Sequence, residues 1–552
     1  MRLSVLLLLF WGSRALSRYH PREITPSYGP LSNEQVTNDT KGQTNPEEHT
    51  VKFWYDKSSA TLKGRFKTQP REGVAKNLIL FLGDGMSPTT VTAARIYFGQ
   101  LANKSGEEQE LIFDTFPYTG LSKTYCVNSQ VADSACSGTA YLTGVKNNLH
   151  TIGVTADVGY QDWRGMANSD YHTSSIAQWA QEAGKGVGIV TTCKVTDASP
   201  TATYANTASR YWQTDQDILK EAPDAQGIQD ITRQLVENAP GKNFKVILGG
   251  GRETFLLMDQ DDGYGNKGLR GDGKDLIQAW KDSKDSKDNA TYVTNRDQLL
   301  AVNVDKTDHL LGLFHHNHMD YHLEANASHQ PTLWEMTTMA IKMMQKEENG
   351  YFLFIEGGRI DHGHHDNKAH LALDEVVEFH RAIEVALHLT SEDDTLIVVT
   401  ADHAHTMTLS GYPSRGSDII TTLQATDDNM TYSTLSYANG PNRNGFEKNG
   451  SRHNIVNDDR GAADYRFPTT YYLESETHGG EDVAVYARGP WAHLLVGVFE
   501  QTVIPHVMSF AAKIGPAANI TVDKSNSTSA SPGVGNNMLG LTLTVIILTI
   551  LY

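Results

Sequence analysis

Acidic residues and histidines recur together at three places in this 552-residue chain. Residues 361–365 read Asp-His-Gly-His-His, residues 402–405 read Asp-His-Ala-His, and residues 476–478 read Glu-Thr-His. Carboxylate oxygens and neutral imidazole nitrogens are the usual protein ligands of zinc. One Asp-His pair is equally typical of a surface histidine beside an acid. Two such clusters, with a further acid and histidine, instead indicate a metal centre.

Three carboxylates follow short apolar runs that are typical of buried strands. Asp84 comes after Leu-Ile-Leu-Phe-Leu, Glu356 after Phe-Leu-Phe-Ile, and Asp402 after Leu-Ile-Val-Val. Continuous apolar runs suit strands that are buried on both faces of a parallel sheet. Because ligands bind beyond the carboxyl ends of the strands in open α/β sheets, we expect these acids at one edge.

Four carboxylates at one edge need cations. Asp84, Glu356, Asp361 and Asp402 would lie within a few ångströms of one another, and like charges that close do not all remain ionised unaided. Several divalent ions would neutralise them and still leave positive charge for an anion.

The elements that position these residues alternate along the chain. Further apolar runs occupy 187–190 and 246–248, and helical patterns cover 175–183 and 371–389. Alternating strands and helices predict an α/β fold around a central sheet. Between His403 and His478 the sequence becomes rich in Asn, Gly, Ser and Tyr, which predicts an inserted subdomain or a set of surface loops.

Ser134 lies in a run of small residues, 131–140, at the start of a predicted helix. A helix N-terminus favours an anion, and a metal-bound serine there could act as a nucleophile without a histidine base. Taken alone, the segment is more typical of a helix-capping serine. No Gly-x-Ser-x-Gly motif surrounds Ser134, which argues against an ordinary Ser-His-Asp esterase.

The composition excludes two classes of protein. Lys plus Arg is 47 and Asp plus Glu is 65, so the net charge is −18, which argues against recognition of nucleic acid. Apolar residues make up 39 % of the chain, which is too much for a disordered protein and enough for a large core.

Both ends of the chain read as export and anchoring signals. Residues 1–17 are typical of a secretory signal peptide, with a buried N-terminal helix as the alternative, and 18–48 form a polar extension. The uncharged tail 538–552 follows small polar residues and predicts a GPI-attachment signal with the anchor at Asn526 or its neighbour. A short transmembrane tail is the alternative. Both alternatives place the protein on the extracellular side of the plasma membrane.

Two further features depend on export. Asn-x-Ser/Thr sequons occur at Asn38, Asn103, Asn289, Asn326, Asn429, Asn449, Asn519 and Asn526. The chain has three cysteines, Cys126, Cys136 and Cys193, so at most one disulfide forms and the pairing stays open. Because Cys136 lies among small residues, we expect it to be a packed core thiol.

Five blocks of sequence resemble the animal alkaline phosphatases: 76–86, 131–139, 356–365, 400–405 and 476–485. The similarity extends from about residue 50 to about residue 513. It implies a three-layer α/β sandwich over 49–513 with a crown-like insertion at about 411–475, followed by a linker and anchor region over 514–537. It also implies a GPI-anchored homodimer that uses two zinc ions and one magnesium ion. The activity implied is hydrolysis of phosphate monoesters of broad specificity, through a phosphoserine, at alkaline pH.

The resemblance assigns roles to individual residues. It implies that Ser134 is the nucleophile and that Arg210 binds two phosphate oxygens, a task that suits a planar guanidinium. The implied ligands are Asp361, His365 and His478 for one zinc, Asp84, Asp402, His403 and Ser134 for the second, and Asp84, Ser199 and Glu356 for magnesium. Asp197 and His362 are expected beside these ligands.

The sequence departs from the family pattern at three places. Asp197 stands where animal members usually have His, and a carboxylate there predicts tighter magnesium retention. His315 and Gln330 replace two acidic calcium ligands of mammalian members, so we do not expect calcium. The cluster of His315, His316 and His318 could bind another metal, but a solvated patch is the favoured interpretation. The mammalian disulfide cysteines are largely absent, which indicates an invertebrate member.

Two alternative functions stay open. The first is another metal-dependent activity of the same superfamily, such as a phosphodiesterase or a sulfatase, although the sulfatase Cys/Ser-x-Pro-x-Arg motif is absent around Ser134. The second is a surface binding protein that has lost turnover, which the presence of every implied ligand, Ser134 and Arg210 argues against.

Overall fold

A ten-stranded sheet lies at the centre of the computed structural model, which describes residues 45–426, 430–442 and 452–521. The strands are β1 Asn77–Gly83, β2 Tyr118–Lys123, β3 Gly186–Lys194, β4 Val246–Gly250, β5 Ala290–Val293, β6 His309–Leu313, β7 Tyr351–Gly357, β8 Thr395–Thr400, β9 Ala404–His405, β10 Met407–Leu409, β11 Leu423–Ala425, β12 Thr431–Ser433, β13 Leu435–Gly440, β14 Thr469–Tyr472, β15 His478–Gly479, β16 Val483–Arg488 and β17 Gly497–Glu500.

Most of the α-helices of the described residues cover the two faces of this sheet. The helices are α1 Val51–Arg65, α2 Pro88–Leu101, α3 Ser134–Thr143, α4 Trp163–Met166, α5 Ile176–Glu182, α6 Ala198–Thr201, α7 Asp215–Glu221, α8 Ile231–Glu237, α9 Leu276–Asp282, α10 Arg296–Leu300, α11 Leu333–Met344, α12 Arg359–His365, α13 Ala369–Leu389 and α14 Val503–Ala512. Of these, α1 buries none of its residues.

The large sheet is mostly parallel. Its strand order is β17-β2-β16-β8-β1-β7-β3-β4-β6-β5, and all neighbours from β8 to β5 run parallel. β16 runs antiparallel between β2 and β8. The predicted apolar runs correspond to β1, β3, β4, β7 and β8, so the predicted α/β fold with a mostly parallel central sheet is confirmed.

Two apolar cores lie on the two faces of the sheet. Side chains alternate between the faces of a strand, and in β1 Ile79 and Phe81 belong to one core while Leu78, Leu80 and Leu82 belong to the other. Helices α2, α11 and α13 contribute to the first core, and α3, α5, α8, α9 and α14 to the second. The chain therefore forms the expected three layers, with helices on both faces.

Small sheets occupy the segment predicted to be an insertion. β13 pairs with β10 and β14, and β11 pairs with β12. Buried residues of this segment, including Ile419, Leu435 and Phe467, join the first core. The segment is thus packed on the main body, and its designation as a crown-like insertion remains a prediction.

Several predictions lie outside the described residues: the signal peptide 1–17, most of the extension 18–48, Asn38, Asn429, Asn449, most of 514–537 with Asn526, and the tail 538–552. Within the described residues no helix is long and apolar enough to span a bilayer. The sequon residues Asn103, Asn289 and Asn326 are exposed, as glycosylation requires. The described residues up to Ala518 form one compact unit.

The expectation for Cys136 is wrong. Cys136, in the first turn of α3, forms a disulfide with Cys126, and the free buried thiol is Cys193. The loop after β2 returns to the start of α3, which brings the two Cα atoms to 5.9 Å, within the range that a disulfide spans.

Candidate metal centre and active site

Three neighbouring strands bring carboxylates to one edge of the sheet. Leu82 of β1 is in register with Glu356 on β7 and with Thr400 on β8, so Asp84 and Asp402 follow at the same level. All three acids are buried. The structure therefore brings together the side chains that the apolar runs predict at this edge.

Ser134 lies among the ligands assigned to one metal. It begins α3, and its Oγ lies 3.1 Å from His403 Nε2 and 3.4 Å from Asp84 Oδ1. His403 Nε2 is 3.0 Å from Asp402 Oδ2 and 3.6 Å from Asp84 Oδ1. Two carboxylate oxygens, one imidazole nitrogen and one hydroxyl oxygen thus converge on a single point.

A second group forms where α12 meets β15. Asp361 and His365 are four residues apart on one face of α12, and His365 Nε2 lies 3.3 Å from Asp361 Oδ2. His478 Nε2 lies 3.5 Å from Asp361 Oδ1. The rings of His478 and His403 stack with centroids 3.5 Å apart, so the two groups adjoin.

The two histidines of the second group face each other, and each ring has a backbone carbonyl at its Nδ1. The Nδ1 atom of His365 donates to the carbonyl oxygen of Glu476 at 2.5 Å, and that of His478 to the carbonyl of Ala132 at 2.7 Å. Because a carbonyl only accepts, Nε2 of each neutral ring keeps a lone pair. The two Nε2 atoms nevertheless lie 3.1 Å apart, and a shared cation satisfies both.

The same argument applies to the first group. His403 Nδ1 faces the carbonyl of Ala404 at 3.3 Å, and burial lowers the pKa of His403 well below its usual value. Its Nε2 lone pair therefore points at two carboxylates. The oxygen and nitrogen donors of both groups fit zinc.

Sequence reasoning missed one buried pair at this site. The ring of His405 lies between Asp361 Oδ1, 2.6 Å from its Nε2, and a carboxylate oxygen of Glu476 at its Nδ1. These two carboxylates raise the pKa of His405 to about 10 in spite of its burial. His405 thus lies between two carboxylates and positions Asp361. The β9–β15 pairing that creates this contact gives no periodic signal.

A third group of oxygen atoms lies on the other side of Asp84. Ser199 Oγ in α6 is 3.4 Å from Asp84 Oδ2, and Thr191 Oγ1 donates to Glu356 Oε2 at 2.5 Å. Burial is the main cause that raises the pKa of Glu356 to about 8, and burial with the charge of Asp402 raises that of Asp84. An all-oxygen set that needs positive charge fits magnesium.

Arg210 extends over the start of α3. Its two terminal nitrogens lie 3.1 Å from Asp133 Oδ2 and 3.4 Å from Asp197 Oδ1. Asp133 caps α3 and contacts the His150 ring at 3.0 Å, and the neighbouring His150 and Arg210 keep its pKa below the usual range although burial opposes this. The guanidinium is therefore held by two carboxylates, one of which belongs to Asp133, the residue before Ser134.

The alkaline phosphatase family model matches residues 75–514 of this chain. The chain belongs to the alkaline phosphatase family. The membrane-bound alkaline phosphatase of Bombyx mori is 44% identical over 525 residues, which are 94% of each chain. A tissue-nonspecific alkaline phosphatase of Gallus gallus is 48% identical over 478 residues, which are 85% of this chain and 91% of the relative. The prediction of a phosphoric monoester hydrolase is confirmed.

Solved structures support the fold. The alkaline phosphatase of Thermus thermophilus superposes with a TM-score of 0.57 at 22% identity, over 85% of this chain and 95% of that chain. The relatives include an insect and a bird protein, so an animal-type member is supported, while invertebrate origin stays a prediction.

In this member of the alkaline phosphatase family the predicted histidine patch is divided. His315 and His316 lie together, with ring centroids 5.3 Å apart, and His316 faces Glu253. His318 instead turns toward Asp197 and His362, with its Nδ1 3.7 Å from Asp197 Oδ2. The interpretation of the three histidines as one solvated patch is therefore wrong for His318, because the loop after β6 carries it onto the end of β3.

Proposed function

We propose that Ser134 is the nucleophile of this phosphatase and that a phosphoserine forms on its Oγ. The observation that carries the proposal is the position of Ser134 Oγ, at the first residue of α3 and 3.1 Å from a histidine nitrogen that keeps a lone pair. Asp84 Oδ1 also lies 3.4 Å from this hydroxyl, and because Asp84 and His403 are both assigned as ligands of one metal, we propose that the bound cation activates Ser134. The N-terminus of α3 also favours the phosphate dianion.

The proposal includes three cations. Asp361, His365 and His478 would hold one zinc, Asp84, Asp402 and His403 with Ser134 the second, and Asp84, Ser199 and Glu356 a magnesium. When bound, the ions supply Lewis-acid charge that favours ionisation of a hydroxyl and offsets the charge of the leaving oxygen. We do not propose a calcium ion, because His315 and Gln330 stand where mammalian members have acidic calcium ligands.

The chain's own residues then position the substrate. Arg210 binds two phosphate oxygens in the bidentate geometry of a guanidinium, and Asp133 and Asp197 orient it. Ser134 Oγ attacks phosphorus in line with the leaving alkoxide, and water later displaces Ser134 from the phosphoserine. Because these contacts are all to the phosphoryl group, we propose broad specificity for the alcohol part of the monoester.

The test is turnover of p-nitrophenyl phosphate at alkaline pH by the zinc- and magnesium-filled protein. We expect kcat to fall by at least about three orders of magnitude in Ser134→Ala. Acid quenching during turnover should trap phosphate on the peptide that contains Ser134. A metal-filled protein that turns over without a trapped phosphoserine, or an equally active Ser134→Ala, would reject the nucleophile. An inert metal-filled wild type would favour diesters, sulfates or binding partners.

We also propose a GPI-anchored, extracellular homodimer, glycosylated at Asn103, Asn289 and Asn326 and at the candidates Asn429 and Asn449. The membrane-bound silkworm relative supports attachment to a membrane. Phosphatidylinositol-specific phospholipase C should release the protein from expressing cells, and the released form should be a glycosylated dimer. Protein that stays in the membrane after this treatment would favour the transmembrane alternative.

A further inference from the structure

Beyond the three groups above, four residues with zinc-type donors converge at the end of β3. They are Cys193 on β3, Asp197 at the start of α6, His318 after β6 and His362 on α12. One donor atom of each lies within 4.8 Å of the other three. From this geometry we propose a further zinc site, formed by Cys193, Asp197, His318 and His362, beside the catalytic centre.

The individual distances show how closely the four donor residues approach one another. Cys193 Sγ lies 3.9 Å from His362 Nδ1, and His318 Nδ1 lies 3.7 Å from Asp197 Oδ2. His362 Nε2 is 4.0 Å from the same carboxylate oxygen, and the two imidazole centroids are 4.4 Å apart. The two nitrogen-to-oxygen separations exceed hydrogen-bond distances, and the sulfur-to-nitrogen separation is that of a long hydrogen bond; donors this close together can share one metal ion.

The polar environment leaves both histidine Nδ1 atoms as acceptors. The backbone N–H of Lys194 points at His318 Nδ1 over 3.2 Å, and Arg359 donates to His362 Nδ1 at 2.7 Å. Each Nδ1 therefore carries a lone pair, which a metal can use in place of the present donor. Arg359 has a second partner, because its guanidinium already lies 3.8 Å above the ring of Tyr321.

The donor set selects the metal. One sulfur, two imidazole nitrogens and one carboxylate oxygen form a set that zinc takes in tetrahedral geometry, whereas magnesium requires oxygen ligands. On binding, the Cys193 thiol loses its proton to water and its sulfur forms the bond to zinc. The side chains of Asp197, His318 and His362 are 16%, 21% and 25% exposed, which gives the ion a path from solvent.

Cobalt provides a direct test, because a thiolate bound to Co²⁺ gives a charge-transfer absorption in the near ultraviolet that oxygen and nitrogen ligands do not. Cys126 and Cys136 are paired, so without reductant Cys193 is the single thiol of the chain that can produce it. We expect this absorption in the Co²⁺-reconstituted full-length protein. We expect its loss in Cys193→Ser, a weaker band in His318→Asn, and an unchanged band in the control His316→Asn.

Zinc itself provides the second measurement. X-ray absorption of the zinc-filled wild type should show a sulfur neighbour at about 2.3 Å, and metal analysis should show one zinc equivalent fewer in Cys193→Ser. A wild type that is active with cobalt but lacks the thiolate band, or zinc-filled protein without a sulfur neighbour, would overturn the proposal. Because these readouts do not use turnover, they leave the assignment of Ser134 untouched.

Discussion

Two buried clusters of carboxylates solve the problem of burying charge in opposite ways. In the arginine cluster, the fully buried guanidinium of Arg270 forms two-pronged contacts with Asp230, at 2.9 and 3.1 Å, and with Asp272, at 2.6 and 3.2 Å. It also reaches the carbonyl of Thr254. The protein itself supplies the positive charge and satisfies every donor.

In the metal centre the protein leaves the charge unbalanced. Asp84, Asp402 and Glu356 have raised pKa values, and the Nε2 lone pair of His403 points at Asp84 and Asp402. Even the arginine of this region, Arg210, makes only two single contacts with carboxylates. Charges that are fully paired within the protein stabilise the fold, whereas charges that lack a partner can bind ligands. This difference distinguishes the arginine cluster from the metal centre.

Removal of the metals should produce the largest effect. We expect chelated protein to lose essentially all turnover and to regain it with zinc and magnesium together. Its melting temperature should also fall, because bound ligand stabilises the folded state. In the chelated protein, the pKa of Glu356 is about 8 in the folded state against 4.5 as the reference value. Glu356 therefore contributes stability that is lost as the pH rises from 6 to 8, and we expect this loss to outweigh the opposite contribution of the buried histidines, which have lowered pKa values.

The measurement is the melting temperature at pH 6 and pH 8, with and without chelator. Metal-filled protein is the control and should not show this decrease. A chelated protein that is more stable at pH 8 than at pH 6 would contradict the unbalanced charge inferred for the metal centre.

Arg270→Met should affect stability and leave chemistry alone. It leaves the buried Asp230 without its cation, and breaking a buried pair costs about 3–5 kcal/mol of unfolding free energy. We expect the turnover of the folded fraction to be unchanged, measured beside denaturant unfolding. Arg233→Met, which removes a partly exposed pair with Glu237, is the matched control and should cost less than about 1 kcal/mol. Equal losses of unfolding free energy in the two variants would contradict the proposed structural role of the arginine cluster.

Arg210→Lys should have the opposite effect to Arg270→Met: it should reduce turnover and leave stability nearly unchanged. A lysine keeps the charge but not the bidentate geometry, so we expect kcat/KM for p-nitrophenyl phosphate to fall by about 100-fold. The unfolding free energy should change by less than about 1 kcal/mol, because Arg210 is incompletely paired. A variant with normal kcat/KM but reduced stability would place Arg210 with Arg270 as a structural residue.

Asp197→His should give the smallest effect. Asp197 adjoins the magnesium ligands without being assigned as one, and residues in this position typically change metal affinity by about tenfold. We therefore expect the midpoint of magnesium activation to rise by about that factor. Activation by magnesium is measured on zinc-filled protein. An unchanged midpoint would reject the predicted role of Asp197 in magnesium retention.

The ends of the strands could be predicted from the sequence because each depends only on a short run of neighbouring residues. The run before Asp84 became β1, and the run before Asp402 became β8. A continuous apolar run predicts a buried strand. The residue that follows the strand then lies at the carboxyl edge of the parallel sheet. The helical pattern at 371–389 likewise became α13. The ligand sets and the role of Arg210 required the family resemblance, since no pattern joins residues so distant in the chain.

Contacts between loops could not be predicted from the sequence in this way. The pairing of Cys126 with Cys136 depends on a loop that folds back onto α3, and three cysteines alone leave the pairing open. His405 and Glu476 are 71 residues apart and meet through a two-residue strand pairing. His318 looked like its neighbours His315 and His316, although its direction is set by the end of β3. Such irregular segments have no hydrophobic periodicity from which the direction of a side chain could be predicted.

The position of β1 between β7 and β8 has a consequence for synthesis in the cell. Ser134 and His403 are 269 residues apart, and His478 contacts a carbonyl 346 residues earlier. At ~5–20 residues per second, β1 waits roughly 15–60 s after its own translation before β8 has been made. During that interval its apolar faces and both unpaired edges are open to aggregation, so the nascent chain needs shielding by chaperones. The ligand set proposed for the zinc of Asp361, His365 and His478 is complete only after translation has passed His478, so filling of that set is expected late in the synthesis of the chain.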